Sequence, residues 1–168
     1  MADVQRGPCY ERHMRLSYIL LGFVVACGGS KSSEPAPAQP PTGAPMAVQA
    51  TSLKAAGDMN GEAEVKAYNF SDKKITSYTL LFRYKDASGN VLKVKPGTAF
   101  EKEHDFMSLS GNKYACEPKS WCTTKVEMLS VPKDAKTADV VAARIADAEG
   151  KELFALPEGS LEWPASVK

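Results

Sequence analysis

The chain is predicted to fold as an all-β protein, an antiparallel two-sheet sandwich of about seven strands over residues 46–168. Three observations predict it. Apolar residues recur at every second position in several short runs, as in strands with one buried face. Turn-forming residues interrupt those runs at intervals of roughly 8 to 12 residues. No long helical period competes except at Thr137 to Ala148, TADVVAARIADA, which would also suit a helix.

The N-terminal stretch sets the address. Arg12, His13 and Arg15 form a basic run, Leu16 to Ala26 is almost wholly apolar, and small residues follow, which is the layout of an export signal over residues 1–26. The polar Met1 to His13 precedes it, so Met14 is expected as the true start, and Cys9 is discarded on maturation. The eleven apolar residues would make a helix of roughly 16 Å, too short for a hydrocarbon core of roughly 30 Å. The run ends in Val24-Val25-Ala26-Cys27 and resembles the lipobox of bacterial lipoproteins. That resemblance implies a diacylglyceryl thioether on Cys27, cleavage before it, and acylation of the new amino terminus. Two or three acyl chains would hold the protein to a membrane without a transmembrane helix. Gly28 after the cysteine favours the outer membrane, by the sorting pattern of some enteric lipoproteins.

Residues 27–45 read as the lipidated cysteine and a flexible linker. Gly28 to Pro45 carries five of the eleven prolines, and such a tract cannot bury enough apolar surface to offset its ordering entropy. Fully extended, it would reach roughly 55 Å. From Met46 the composition turns globular, enough for one domain with a core. Removing Arg6, Arg12, Arg15, Asp3 and Glu11 with the signal lowers the 21 basic and 20 acidic residues to 18 of each. Zero net charge offers neither a nucleic-acid footprint nor a polybasic membrane patch.

Within the domain, Ala63, Val65 and Ala67 alternate with Glu64, Lys66 and Tyr68, and Asn69 to Lys73 supplies turn chemistry. The clearest strand is Ile75 to Lys85. Tyr78, Leu80, Phe82 and Tyr84 share one face, with Thr79, Arg83 and Lys85 on the other, where Leu81 breaks the pattern. Asp86 to Asn90 is a hairpin loop in which Gly89 can take positive φ, and Val91, Leu92 and Val94 form the return strand up to Pro96. Glu101 to Tyr114 is long and polar, with Phe106 expected to dip into the core. Val126 and Met128 alternate with charged residues over Thr124 to Val131, and Val141, Ala143 and Ile145 share a face over Ala138 to Ala146. Asp147 to Gly150 is a second hairpin turn, returning through Leu153, Phe154 and Leu156, and this pairing favours strand over helix for Thr137 to Ala148.

Asn69 to Leu92, NFSDKKITSYTLLFRYKDASGNVL, looks like the pattern of small immunoglobulin-like and fibronectin-like domains in bacterial envelope lipoproteins. There an Asn-rich turn leads into a core strand and a D-x-x-G-x-V/L hairpin. The resemblance implies an immunoglobulin-like sandwich, but the strand lacks the usual tryptophan, leaving Phe82 or Tyr84 to fill its volume. Fold similarity of this kind implies no activity.

Cys116 and Cys122 are the cysteines that remain once Cys27 is modified, and export to an oxidising compartment predicts one disulfide between them. Their C-x5-C spacing is not the C-x-x-C of redox catalysts, and two residues do not make a structural zinc site. Trp121 beside them suits either an exposed aromatic contact or packing on the disulfide. His104 and Met107 are candidate copper ligands, since imidazole and thioether suit that metal, but a copper site usually needs three or more convergent ligands.

No G-x-S-x-G elbow or glycine-rich phosphate cradle occurs, and the carboxylate pairs Glu62/Glu64 and Glu101/Glu103 sit in hydrophilic stretches. The expectation is therefore a non-catalytic binding or accessory module without a cofactor. It would be monomeric, anchored to the membrane by lipid, and would meet an envelope protein or glycan through loops or a free sheet edge. The alternative is a periplasmic copper carrier using His104 and Met107.

Overall fold

The structure, a computed structural model, describes residues 34–157 and 161–167. Seven strands follow in order: β1 Met46–Lys54, β2 Gly57–Asn69, β3 Ile75–Lys85, β4 Asp105–Ser110, β5 Trp121–Val131, β6 Thr137–Asp147 and β7 Glu152–Ala155. They form two antiparallel sheets, ordered β1-β2-β5 and β4-β3-β6-β7. The all-β sandwich is as predicted, and β3 keeps its predicted bounds. The segment that could have been helical is β6.

The core lies between the sheets. Tyr78, Leu80, Phe82 and Tyr84 of β3 meet Ala63, Val65 and Ala67 of β2, Val126, Leu129 and Val131 of β5, and Val140, Ala142 and Ile145 of β6. Leu81, the residue that broke the alternation, is also fully buried, but on the outer face. It packs with Val141, Ala143 and Leu156, and Leu161, Trp163 and Val167 from the C-terminal segment cover them. Burying a leucine stabilises by about 1.5–3 kcal/mol, so the outer leucine fits a sheet with a lid of its own chain.

Several expectations are corrected. Val141, Ala143 and Ile145 do not share a face. Thr79 pairs with Arg144 but Leu80 pairs with Ala142, so Ala143 is the extra residue of a bulge. Ile145 therefore joins Val140 and Ala142 in the core, while Val141 and Ala143 face outward. Met128 likewise leaves the face of Val126. The β2–β5 register slips between Gly61 opposite Leu129 and Ala63 opposite Val126. Met128 sits there at φ 61° and 62% exposed.

Val91 to Val94 do not form a return strand. Only single bridges join Lys85 to Val91 and Val94 to Lys102, because β4 occupies the edge of β3 from Phe82 to Ser77. Phe106 does not enter the core either. Its pairing with Leu81 places it on the outer face, 45% exposed, while Met107 and Leu109 face inward.

Both Asp-x-x-Gly turns form by one device. The Asp86 carboxylate accepts from the amides of Ser88 (2.8 Å) and Asn90 (2.9 Å), and that of Asp147 accepts from Glu149 and Lys151, each at 2.9 Å. Gly89 and Gly150 follow at φ 84° and 79°. The Asn90 side chain and these amides hold the Asp86 carboxyl below the usual carboxylate range.

Candidate functional site

The strand directions give the sandwich two ends. At one lie the start of β1 and the β2–β3, β4–β5 and β6–β7 connections; at the other lie the β1–β2, β3–β4 and β5–β6 connections.

The first end is tied down. Cys116 and Cys122 form the disulfide, and Cys116 exchanges backbone hydrogen bonds of 2.8 and 3.0 Å with Ile75. The bridge thus couples the start of β3 in one sheet to the start of β5 in the other. Asn69, fully buried, completes the joint. Its amide nitrogen donates to the carbonyls of Lys73 (2.7 Å) and Cys116 (3.0 Å), and its oxygen accepts from the Ser71 amide (2.8 Å) and hydroxyl (2.7 Å). All four of its hydrogen-bonding positions are used.

The second half of the predicted tether is held on the sandwich at this end. Ala44 is buried, Gly43 N–H donates to Pro40 O (3.0 Å) and Phe70 N–H donates to Pro45 O (2.9 Å). Farther back, Glu34 pairs with Lys66, and Trp121 Nε1–H donates to Pro35 O at 3.3 Å. The Trp121 ring meets Tyr68 edge-on at 5.3 Å and lies 4.5 Å from Lys66 Nζ. Of the two readings of Trp121, neither describes it fully: its partners are a cross-strand tyrosine, a lysine and the incoming chain. Cys27 and the signal lie outside the described residues.

The two candidate copper ligands point to opposite sides of their sheet. Met107 pairs with Leu80 and packs on the core. His104 is buried outside the other face, where its Nε2–H donates to Leu161 O at 2.7 Å. The Arg83 guanidinium lies 4.2 Å over the Trp163 ring beside it. His104 thus fastens the C-terminal segment. Among the described residues no group of three His, Cys, Asp or Glu side chains is placed to hold a metal ion.

The opposite end carries a groove of about 540 Å³. Its cationic lining comes from two loops, Lys93 and Lys95 after β3 and Lys133 after β5, with Ala56, Pro96, Val131 and Pro132 as apolar walls and Asp134 as the lining carboxylate. Lys93 pairs with Glu101, which raises the lysine's pKa and lowers that of the glutamate. Lys95 holds φ at 51°, a left-handed conformation that costs a non-glycine residue about 1–2 kcal/mol. Such outliers cluster at ligand sites. Phe100, 74% exposed, projects from the same β3–β4 loop. Sequence reasoning missed the three lysines; the available signal, for Lys95 and Lys133, was a lysine flanking proline in both V-K-P-G and V-P-K-D.

No family model and no curated protein matches the chain. Among solved structures it is similar to the Salmonella enterica trimeric lipoprotein SadB, at 12% identity and a TM-score of 0.36 over 58% of this chain. The match spans 50% of that chain. A likeness this distant fixes neither fold nor role.

Proposed function

We propose that this protein is a bacterial cell-envelope lipoprotein, anchored through Cys27 to the outer membrane, whose immunoglobulin-like sandwich is a monomeric, non-catalytic binding module. The observation that carries the reading is the division of labour between the two ends. The incoming chain is fastened at one end, by Glu34, Pro35 and Pro45, and the lysine groove opens at the other. Loops at the end of a sandwich are where such folds place binding sites. Six strands also follow the immunoglobulin order, with β4 beside β3 rather than beside β5. SadB is described as trimeric; for this chain the reading keeps one copy.

Two measurements test this. Metabolic labelling with an alkyne palmitate should mark the protein and fail to mark Cys27→Ser; equal labelling of both would remove the anchor. Photo-crosslinkers placed at Phe100 and at Trp121 in intact envelopes should give a specific adduct from the Phe100 end. Adducts from the Trp121 end alone would overturn the assignment of the groove end as the binding end.

A further inference from the structure

We infer that the groove binds a phosphate ester, the charged group of an envelope glycan or polyol carrying phosphate. The inference rests on the binding-module reading and names the chemistry of its ligand. Lys95 and Lys133 line the groove and make no ion pair among the described residues. Lys93 has a partner in Glu101, but that carboxylate lies outside the groove lining, in the neighbouring cleft. An entering anion thus meets two ammonium groups without an ion pair, Lys95 and Lys133, a third, Lys93, already paired with Glu101, and the carboxylate of Asp134.

The residue types select among anions. The lining cations are lysines, which bind phosphate as point charges, and a phosphate monoester, with up to two charges and three acceptor oxygens, can engage separate ammonium groups at once where a carboxylate brings a single charge. The volume, about 540 Å³, far exceeds one phosphate and falls in the range of sites for small organic ligands. Its proline, valine and alanine walls suit the carbon body of an ester. Lys95 is half-buried and held in a left-handed backbone at the groove's edge, the kind of strained placement found at ligand sites.

The test uses the full-length chain in uncharged detergent and three probes with one carbon body: glycerol 1-phosphate, glycerate and glycerol. Amide NMR titration should show saturable shifts at Gly97 and Asp134 with glycerol 1-phosphate, and at least tenfold weaker binding of glycerate. K95Q/K133Q should weaken the phosphate ester at least tenfold, while K119Q/K125Q, which removes equal charge elsewhere, should leave it unchanged. If the double variant fails to fold, K133Q alone, on an exposed loop, must still weaken binding. No saturable shift, equal binding of glycerate, or equal loss in both variants would overturn the inference. Failure here with the Phe100 crosslinks intact would remove the phosphate and keep the module. Failure of palmitate labelling would remove the anchor and leave the groove chemistry standing.

Discussion

Two tyrosines buried in the core should make this fold unusually sensitive to alkali. The hydroxyls of Tyr78 and Tyr84 lie buried without a hydrogen-bond partner among protein atoms. Thr124 is close enough to ease the Tyr78 phenol slightly, though outside hydrogen-bonding geometry. Burial pushes Tyr78 up from 10 to about 12, and burial with the nearby Asp105 charge pushes Tyr84 up further. Each phenol is neutral when protonated, so below pH 10 neither state has lost its proton and stability is complete. Above pH 10 the unfolded chain releases protons that the folded chain retains. Stability then falls by up to about 1.4 kcal/mol per pH unit for each tyrosine, so Tyr78 alone removes about 2.3 kcal/mol by pH 12. Lys93, Lys113 and Lys125, raised by hydrogen-bonded partners, also release protons there, but equally in wild type and variant. Urea unfolding of wild type, Y78F and Y84F at pH 8, 10 and 11 should therefore show Y78F losing less stability than wild type between pH 10 and 11, by about 1 kcal/mol. At pH 8 Y84F should be neutral or up to about 1 kcal/mol more stable, because it deletes a buried hydroxyl that lacks a partner. Parallel pH curves for wild type and Y78F, or a cost above about 1 kcal/mol for Y84F at pH 8, would refute the reasoning.

Reducing the Cys116–Cys122 bridge removes a seven-residue closed loop and should cost about 2.3 kcal/mol; an unchanged urea midpoint after reduction would contradict this. A Cβ at Gly61 would lie 2.3 Å from Val131 Cγ2 and 2.7 Å from the Leu129 carbonyl. Gly61→Ala should therefore destabilise by about 1–3 kcal/mol and shift the amide resonances of Val131 and Pro132's neighbours in the groove wall. Trp163→Ala should release the C-terminal cover over Leu81 and Val141 at a cost of about 2–4 kcal/mol, read as faster hydrogen exchange at Leu81. Analytical ultracentrifugation of the chain should give a monomer; a stable trimer would overturn the single-copy reading.

How much of this was legible follows from which forces are local. β3 was readable to its ends because its inner-face alternation, Tyr78 to Tyr84, runs into the Asp86 turn, and the repeated Asp-x-x-Gly pattern marked both turns, though only the second joins two strands of a hairpin. β4 was hidden because DFMSLS has six residues in a polar stretch and alternates with serine; β1, MAVQATSLK, has only small or mixed residues to show. The faces of β5 and β6 were misassigned for one reason. A single extra residue at Met128 or Ala143 inverts the alternation beyond it, and nothing in a strand's own sequence marks where its partner skips. Leu81 looked like an error because its cover arrives from residues 161–167, some 80 positions later. The groove was invisible for the same reason: Lys95 and Lys133 become neighbours only when β3 and β5 end at the same edge of the sandwich.

The backbone itself separates the two ends. At the entry end, the Asn69 hydrogen bonds, the Cys116–Ile75 pair and the disulfide over-determine one geometry, so a change there should cost stability. Among the described residues four non-glycines have positive φ, and three lie toward the groove end: Met59, Lys95 and Met128. Two of these accompany the bulged β2–β5 register, which bends those strands just before Ser130 and Val131 form the groove wall. The bulge re-aims side chains and the left-handed residues carry strain, so this end of the sandwich is built at some cost to stability. On the proposed reading, that cost falls where the cations gather because the binding surface lies there, and the rigid entry end holds it in place from one side.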